Sequence, residues 1–289
     1  MAIKSYKGFD KNLRCRGFQY KIGGIYEMDG KIKMRNRGFH ACESPFDVFD
    51  YYTMIDSRFC EVEQDGNISK EDRGTKICSS KIKIKEELKL VDMINLGVEW
   101  LKEITSPEKI KTSIKDNSSG NYAKIGSSGD EAQIGSSGYG AQIGSSGYGA
   151  KIGSSGNDAK IGSSGDDAQI GSSGNDAQIG SSGNDAQIGS SGDNAQIGSS
   201  GDGAKISSSG YGAKIDNTGE DCVIMCAGIN SVAKASKGSW VTLSEWSYSE
   251  EKQRYIPICV KTEFVDGEKI KADTYYSLKG GVFVEWIND

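Results

Sequence analysis

Histidine is almost missing. His40 is the only one among 289 residues, which removes most catalytic arrangements that need an imidazole base. Proline is nearly as scarce, at 3 residues, and the 7 cysteines (Cys15, Cys42, Cys60, Cys78, Cys222, Cys226, Cys259) contain no Cys-x-x-Cys pair. An odd, scattered set of this kind argues for buried, reduced thiols rather than a disulfide frame or a zinc site. No window approaches 18 uninterrupted apolar residues, and Met1-Ala2-Ile3-Lys4-Ser5 lacks the apolar run of a signal peptide, so no membrane association and a cytoplasmic setting are expected. A basic domain is absent as well. The formal charge is −5, and residues 123–221 hold 5 basic against 12 acidic side chains, so nucleic acid is not an expected partner.

What the chain has instead is a repeat. From Ala123 to Asp221 a unit of nine residues, Ala-[Lys/Gln]-Ile-Gly-Ser-Ser-Gly-[Asp/Asn/Tyr]-[Asp/Gly], is written eleven times. Ile stands two places after Ala in every unit, so the two share one face of a short strand while Lys or Gln points away. The last two positions, with the Gly before them, tolerate the positive φ of a tight corner. One unit cannot bury its apolar face alone; stacked units can, and a β-solenoid follows. Nine residues at about 3.3 Å each are too few to close a coil around an interior. The favoured geometry is therefore a flattened coil of two units per turn with parallel sheets on opposite sides, and a triangular coil of three units is the alternative. Two units per turn would align Lys124, Gln142, Lys160, Gln178, Gln196 and Lys214 in one row, with Gln133, Lys151, Gln169, Gln187 and Lys205 opposite. Ser118-Ser119-Gly120, with Asp116 in place of Ile, and the run from Cys222 to Gly228 are expected as its ragged ends.

The flanks read differently. Residues 1–105 mix short β-like runs with two helical candidates, one entered through Ser44-Pro45-Phe46-Asp47 and one from Leu90 to Ile104, an α+β pattern. Ser106-Pro107 marks a boundary, and residues 106–122 serve as linker and cap. The solenoid with its degenerate cap occupies 123–239. Residues 240–289 contain Tyr255–Val265, Lys269–Leu278 and Val282–Ile287, joined by Asp266-Gly267 and Gly280-Gly281, which predicts an antiparallel β domain. The fold class is thus mainly β with a central parallel solenoid.

Tyr6-Lys7-Gly8-Phe9, Gly38-Phe39-His40-Ala41-Cys42-Glu43, the Ala-x-Ile-Gly-Ser-Ser-Gly array and the closing run from Lys261 to Tyr276 together resemble a family of uncharacterised proteins of phages, prophages and gut bacteria. That resemblance implies a phage-associated role in the cytoplasm of a host cell and carries no site residues. Within residues 1–105, Tyr-Lys-Gly, then Gly-Phe-x-x-Cys before Tyr51-Tyr52, then Phe59-Cys60-Glu61-Val62-Glu63 loosely resembles the order of elements in ADP-ribosyltransferases. Lys7 stands where that superfamily has Arg or His, and Cys42 where it has Ser or Thr. Lys7, His40 and Glu63 are the candidate catalytic residues on this reading. His40 and Cys42, two apart on a strand, lie about 6–7 Å apart and do not hydrogen-bond directly.

Calcium-binding nonapeptide rolls use Gly-Gly-x-Gly-x-Asp; this array has no Gly-Gly and carries Tyr139, Tyr148 and Tyr211 at three corners. Folding without metal or cofactor is expected. The functional expectation is a non-enzymatic interaction protein, with counter-defence as one setting. Its binding residues would be the row from Lys124 to Lys214 and the three corner tyrosines, its partner a host or phage protein, and its solenoid faces a route to oligomers. An enzyme in residues 1–105 and a virion or surface component are the alternatives.

Overall fold

A computed structural model of the chain describes residues 2–71, 74–105 and 120–287. It divides into two compact units, residues 1–100 and 101–289. Ser106-Pro107, Asp116 and Ser118-Ser119 lie outside the described residues. No helix among the described residues is long and apolar enough to cross a membrane.

In the second unit the repeats form a parallel β-solenoid of 18 residues per turn. Ile143 stands beside Ile125 and Ile161 in one sheet, and Ile152 beside Ile134 and Ile170 in the other. Two units per turn is therefore the geometry, and the triangular coil is excluded. Ala and Ile point inward from both sheets and form one continuous core running from Ile143 to Leu278. Each fully buried Ile contributes roughly 1.5–3 kcal/mol. A second inward row escaped the sequence reading: the first Ser of each unit from Ser136 to Ser208 is buried, and the hydroxyls of Ser163, Ser181 and Ser199 have no hydrogen-bond partner among the described residues.

The corners explain the rest of the motif. The ninth position is left-handed, with φ from 53° to 57° at Glu131, Asp158, Asp167, Asp176 and Asp185, the region where Asp, Asn and Gly are tolerated best. The eighth position builds a ladder in which each Asx Oδ1 accepts the backbone N–H one turn on, as from Asn175 to Asn157 at 2.9 Å and from Asn184 to Asp166 at 2.8 Å. The eighth-position acids are thus occupied by the backbone. The seventh-position glycines stack so closely that a Cβ at Gly156, Gly165 or Gly174 would overlap the carbonyl oxygen of the glycine one turn below.

Both sheets continue beyond the perfect repeats through Val223–Cys226 and Val232–Lys234 and end in antiparallel hairpins. Trp240–Ser249 pairs with Arg254–Phe264, and Tyr276–Lys279 with Val282–Glu285 across Gly280-Gly281. This corrects the expected joining of three successive strands: only the end of Lys269–Leu278 is a strand, and Asp266-Gly267 joins no hairpin. Asp266 Oδ1 accepts the N–H groups of Glu268 at 2.8 Å and Ile270 at 3.1 Å instead, curling the chain into a turn.

In the first unit Ile3–Phe9 runs antiparallel to Phe39–Cys42 on one side and Arg58–Lys70 on the other. Lys76–Leu88 pairs with both Phe39–Cys42 and Arg58–Lys70, so the sheet closes on itself, with Ile25–Glu27 along one edge. Ile82 and Ile84 face the core while Lys81 and Lys85 pair outside with Glu27 and Glu63. Leu90–Ile104 is an α-helix, as its pattern indicates. The Ser44-Pro45 segment is not: Phe46–Asp50 makes a short 3-10 turn. Phe46, Asp47, Val48 and Phe49 are all buried, and a segment buried on every side lacks the one-sided stripe on which a surface helix depends.

Candidate functional site

Two places offer chemistry, one in each unit. On the solenoid, sequence-equivalent rows end up in different surroundings. Lys124, Gln178, Gln196 and Lys214 are half-buried, whereas Gln142 and Lys160 are buried at 7% and 5% exposure. The expectation that this row points freely to solvent is thus corrected. At its lower end Gly126 lies under residues 101–105, where a Cβ would come within 2.6 Å of Thr105 Oγ1 and 2.8 Å of the Lys102 nitrogen. At its upper end Lys214 Nζ sits 4.3 Å from the Tyr275 ring centroid and 4.5 Å from that of Trp286. Beside it Asp216, with its pKa raised by burial, pairs with Lys234 at 3.0 Å and accepts the Tyr275 hydroxyl at 3.2 Å.

The opposite row, Gln133, Lys151, Gln169, Gln187 and Lys205, is exposed. It flanks a trough of about 850 Å³ whose floor is Gly135, Gly153, Gly171 and Gly189. A Cβ at Gly135, Gly153 or Gly171 would meet nothing within 4 Å. Internal packing therefore does not require glycine there, although glycine inside a strand costs about 0.5–1 kcal/mol relative to alanine. Glycine in a strand interior commonly marks the close approach of another backbone or a ligand. The trough runs on to exposed Val223 and Met225; exposed Trp240 pairs with Val223 in the same sheet and has its ring 5.1 Å from Phe264. The corner tyrosines are exposed and divided between edges: Tyr139 and Tyr211 follow one sheet, Tyr148 the other.

The first unit holds a cleft of about 910 Å³ that includes Lys7, His40 and Cys42. The pairing of Ile3–Phe9 with Phe39–Cys42 brings them together: Lys7 Nζ donates to the His40 carbonyl at 2.9 Å and contacts Cys15 Sγ at 3.5 Å. Burial lowers the Lys7 pKa. Burial and the charges of Lys76 and Lys7 push His40 down to about 4, and its Nε2 accepts the Arg35 N–H at 2.9 Å. Burial pushes the Cys42 thiol up to about 12. At neutral pH the cleft therefore holds a neutral imidazole whose acceptor nitrogen is engaged, and a protonated thiol. Glu63 does not line the cleft; it is paired with Lys85 at 2.8 Å on the strand that pairs with its own. The three catalytic candidates do not converge.

The cysteines are all free, five buried and two, Cys15 and Cys259, only half-buried. No cluster of three or more metal-ligating His, Cys, Asp or Glu side chains occurs among the described residues. Sequence reasoning missed Arg16 at the cleft mouth, although Arg16-Gly17 between Cys15 and Phe18 is a two-residue turn signal. It also missed the trough glycines, whose signal is a Gly inside a strand.

No curated protein and no solved structure matches the chain. Residues 3–96, which include every residue lining the cleft, match a family model described as a domain of unknown function (DUF7666).

Proposed function

We propose that the chain is a non-enzymatic binding protein whose solenoid is a rigid scaffold and whose docking surface is the open trough from Gln133 to Met225. The observation that carries this reading is the glycine floor: Gly135, Gly153 and Gly171 have no neighbour that excludes a side chain, on a sheet that lines up Gln and Lys in register. The resemblance to phage and prophage proteins supports a protein of the bacterial host or the phage as partner, with counter-defence as the setting. Lys151, Lys205 and the neighbouring glutamines offer donors at intervals of about 4.8 Å, the strand spacing.

The alternative, an ADP-ribosyltransferase-like enzyme in residues 1–105, draws support from the cleft around Lys7, but Glu63 lies outside that cleft. The test is affinity capture from host lysate with the intact protein and with a Gly153→Tyr/Gly171→Tyr variant that fills the trough. Capture of a stoichiometric protein by the first and its loss by the folded variant is the expected outcome. Equal capture by both would contradict the trough as docking surface, and turnover of NAD by the intact protein would favour the enzyme.

A further inference from the structure

The cleft of the first unit is more cationic than the protein around it. Its floor is Lys7, 5% exposed, whose ammonium has three donors and spends two on the His40 carbonyl and the Cys15 sulfur. No carboxylate among the described residues pairs with it. Burial lowers its pKa, and an anion brought to it would favour the charged form and offset the cost of burying it.

Arg16 and Lys76 stand at the same cleft, also without a carboxylate partner among the described residues. The neighbouring arginines differ: Arg35 pairs with Glu71, and Arg37 donates to the Asp29 carbonyl at 2.6 Å. Glu27, the acid in the lining, is 3.5 Å from Lys81. Arg16 is also held in a conformation that its side chain does not favour. It has φ 50° and Gly17 φ 79°, in the two-residue turn between Arg14–Cys15 and Phe18–Gln19, a position that Asn, Asp or Gly fill more easily. Such strain is a pointer to function when it is observed at a cleft.

One wall is aromatic. Phe18 packs edge-on to Tyr20 at 4.8 Å and Tyr26 at 5.5 Å, yet remains 51% exposed. Tyr51, also in the lining and 49% exposed, carries Lys76 Nζ 3.7 Å from its ring centroid. Cations without counter-ions beside exposed ring faces are the complement of a ligand with phosphate at one end and a planar ring at the other.

We propose that this cleft binds a nucleotide, with Lys7, Arg16 and Lys76 on its phosphates and Phe18 against its base. The site is independent of the solenoid trough, and its volume is in the range of small-molecule pockets.

Isothermal titration of the full chain with ATP, GTP, CTP and UTP, and with adenosine and inorganic phosphate as controls, tests it. At least one nucleoside triphosphate should bind at least tenfold more tightly than either control, and affinity should fall as salt rises. Arg16→Ala/Lys76→Ala, which changes only exposed or half-buried side chains, should weaken binding at least tenfold while the melting temperature holds. Lys76→Arg should retain most of it, and Phe18→Ala should reduce the advantage over inorganic phosphate. Lack of binding by all four triphosphates at millimolar concentration would overturn the proposal, as would unchanged affinity in the double alanine variant or phosphate binding as tight as that of the nucleotides.

Discussion

The two sheets of the solenoid are built from the same nine-residue unit, yet Lys160 in one is buried and Lys151 in the other is exposed. Every Gly, Ser and Ile has a counterpart half a turn away, so the difference cannot come from the unit. Chain outside the perfect repeats lies against both ends of the covered row, with Thr105 and Lys102 at Gly126 and Tyr275 and Trp286 at Lys214. Alternate copies of one motif thus take on two roles, one row serving as part of the packed structure and the other as surface. The lesson is that in a two-unit coil the parity of a repeat matters as much as its sequence.

Parity can be broken directly, and this should have the largest effect. Deleting Ala159 to Asp176 removes one full turn and keeps every later unit on its own sheet. Deleting Ala159 to Asp167 moves each later unit to the opposite sheet and sends the closing hairpins to the wrong sides. Because contacts in such stacks are between neighbouring turns, the two-unit variant should melt cooperatively within a few degrees of the parent. The one-unit variant should lose cooperative melting. Equal melting of both would mean that the sheets are interchangeable.

A pair of glycine substitutions sharpens the comparison with a smaller effect. Gly156→Ala places a methyl group against the carbonyl of Gly138 and should destabilise by about 1–3 kcal/mol or more, the cost of overpacking. Gly153→Ala, three residues earlier on the open trough, meets nothing within 4 Å and should stabilise by about 0.5–1 kcal/mol through reduced freedom of the unfolded chain. Urea denaturation of the two variants reads the difference in sign.

A third comparison separates the first unit from the solenoid by pH. His40 stays neutral in the folded protein down to about pH 4, whereas an unfolded histidine takes up its proton near pH 6.5. Between those values the unfolded state binds more protons, so this group lowers stability as pH falls through the window. His40→Gln should flatten the urea midpoint of the first unit between pH 6.5 and 4 relative to the parent, and an unchanged slope would place His40 in a solvated setting.

Much of the solenoid was legible because its cause is local. Ala and Ile at a spacing of two define an inner face, the left-handed corners favour Asp, Asn or Gly, and the chain length of one unit is too short for a coil. The helix Leu90–Ile104 was legible from its apolar spacing. The strand Trp240–Ser249 carries alternation, with Val241 and Leu243 inside, that went unused. The burial of Gln142 and Lys160 was not legible, since no residue within the unit distinguishes them from Gln133 and Lys151. Nor was the cleft: Lys7 and His40 meet only through a pairing between strands more than thirty residues apart in sequence, and Glu63, close to them on paper, is held outside by Lys85.

The central claim, that equivalent lysines of one motif differ in access according to parity, is tested by lysine footprinting of the native protein. Brief acetylation followed by peptide mass spectrometry should modify Lys151 and Lys205 early and Lys160 last, with Lys124 and Lys214 between them. Modification of Lys160 at the same rate as Lys151 would contradict the account.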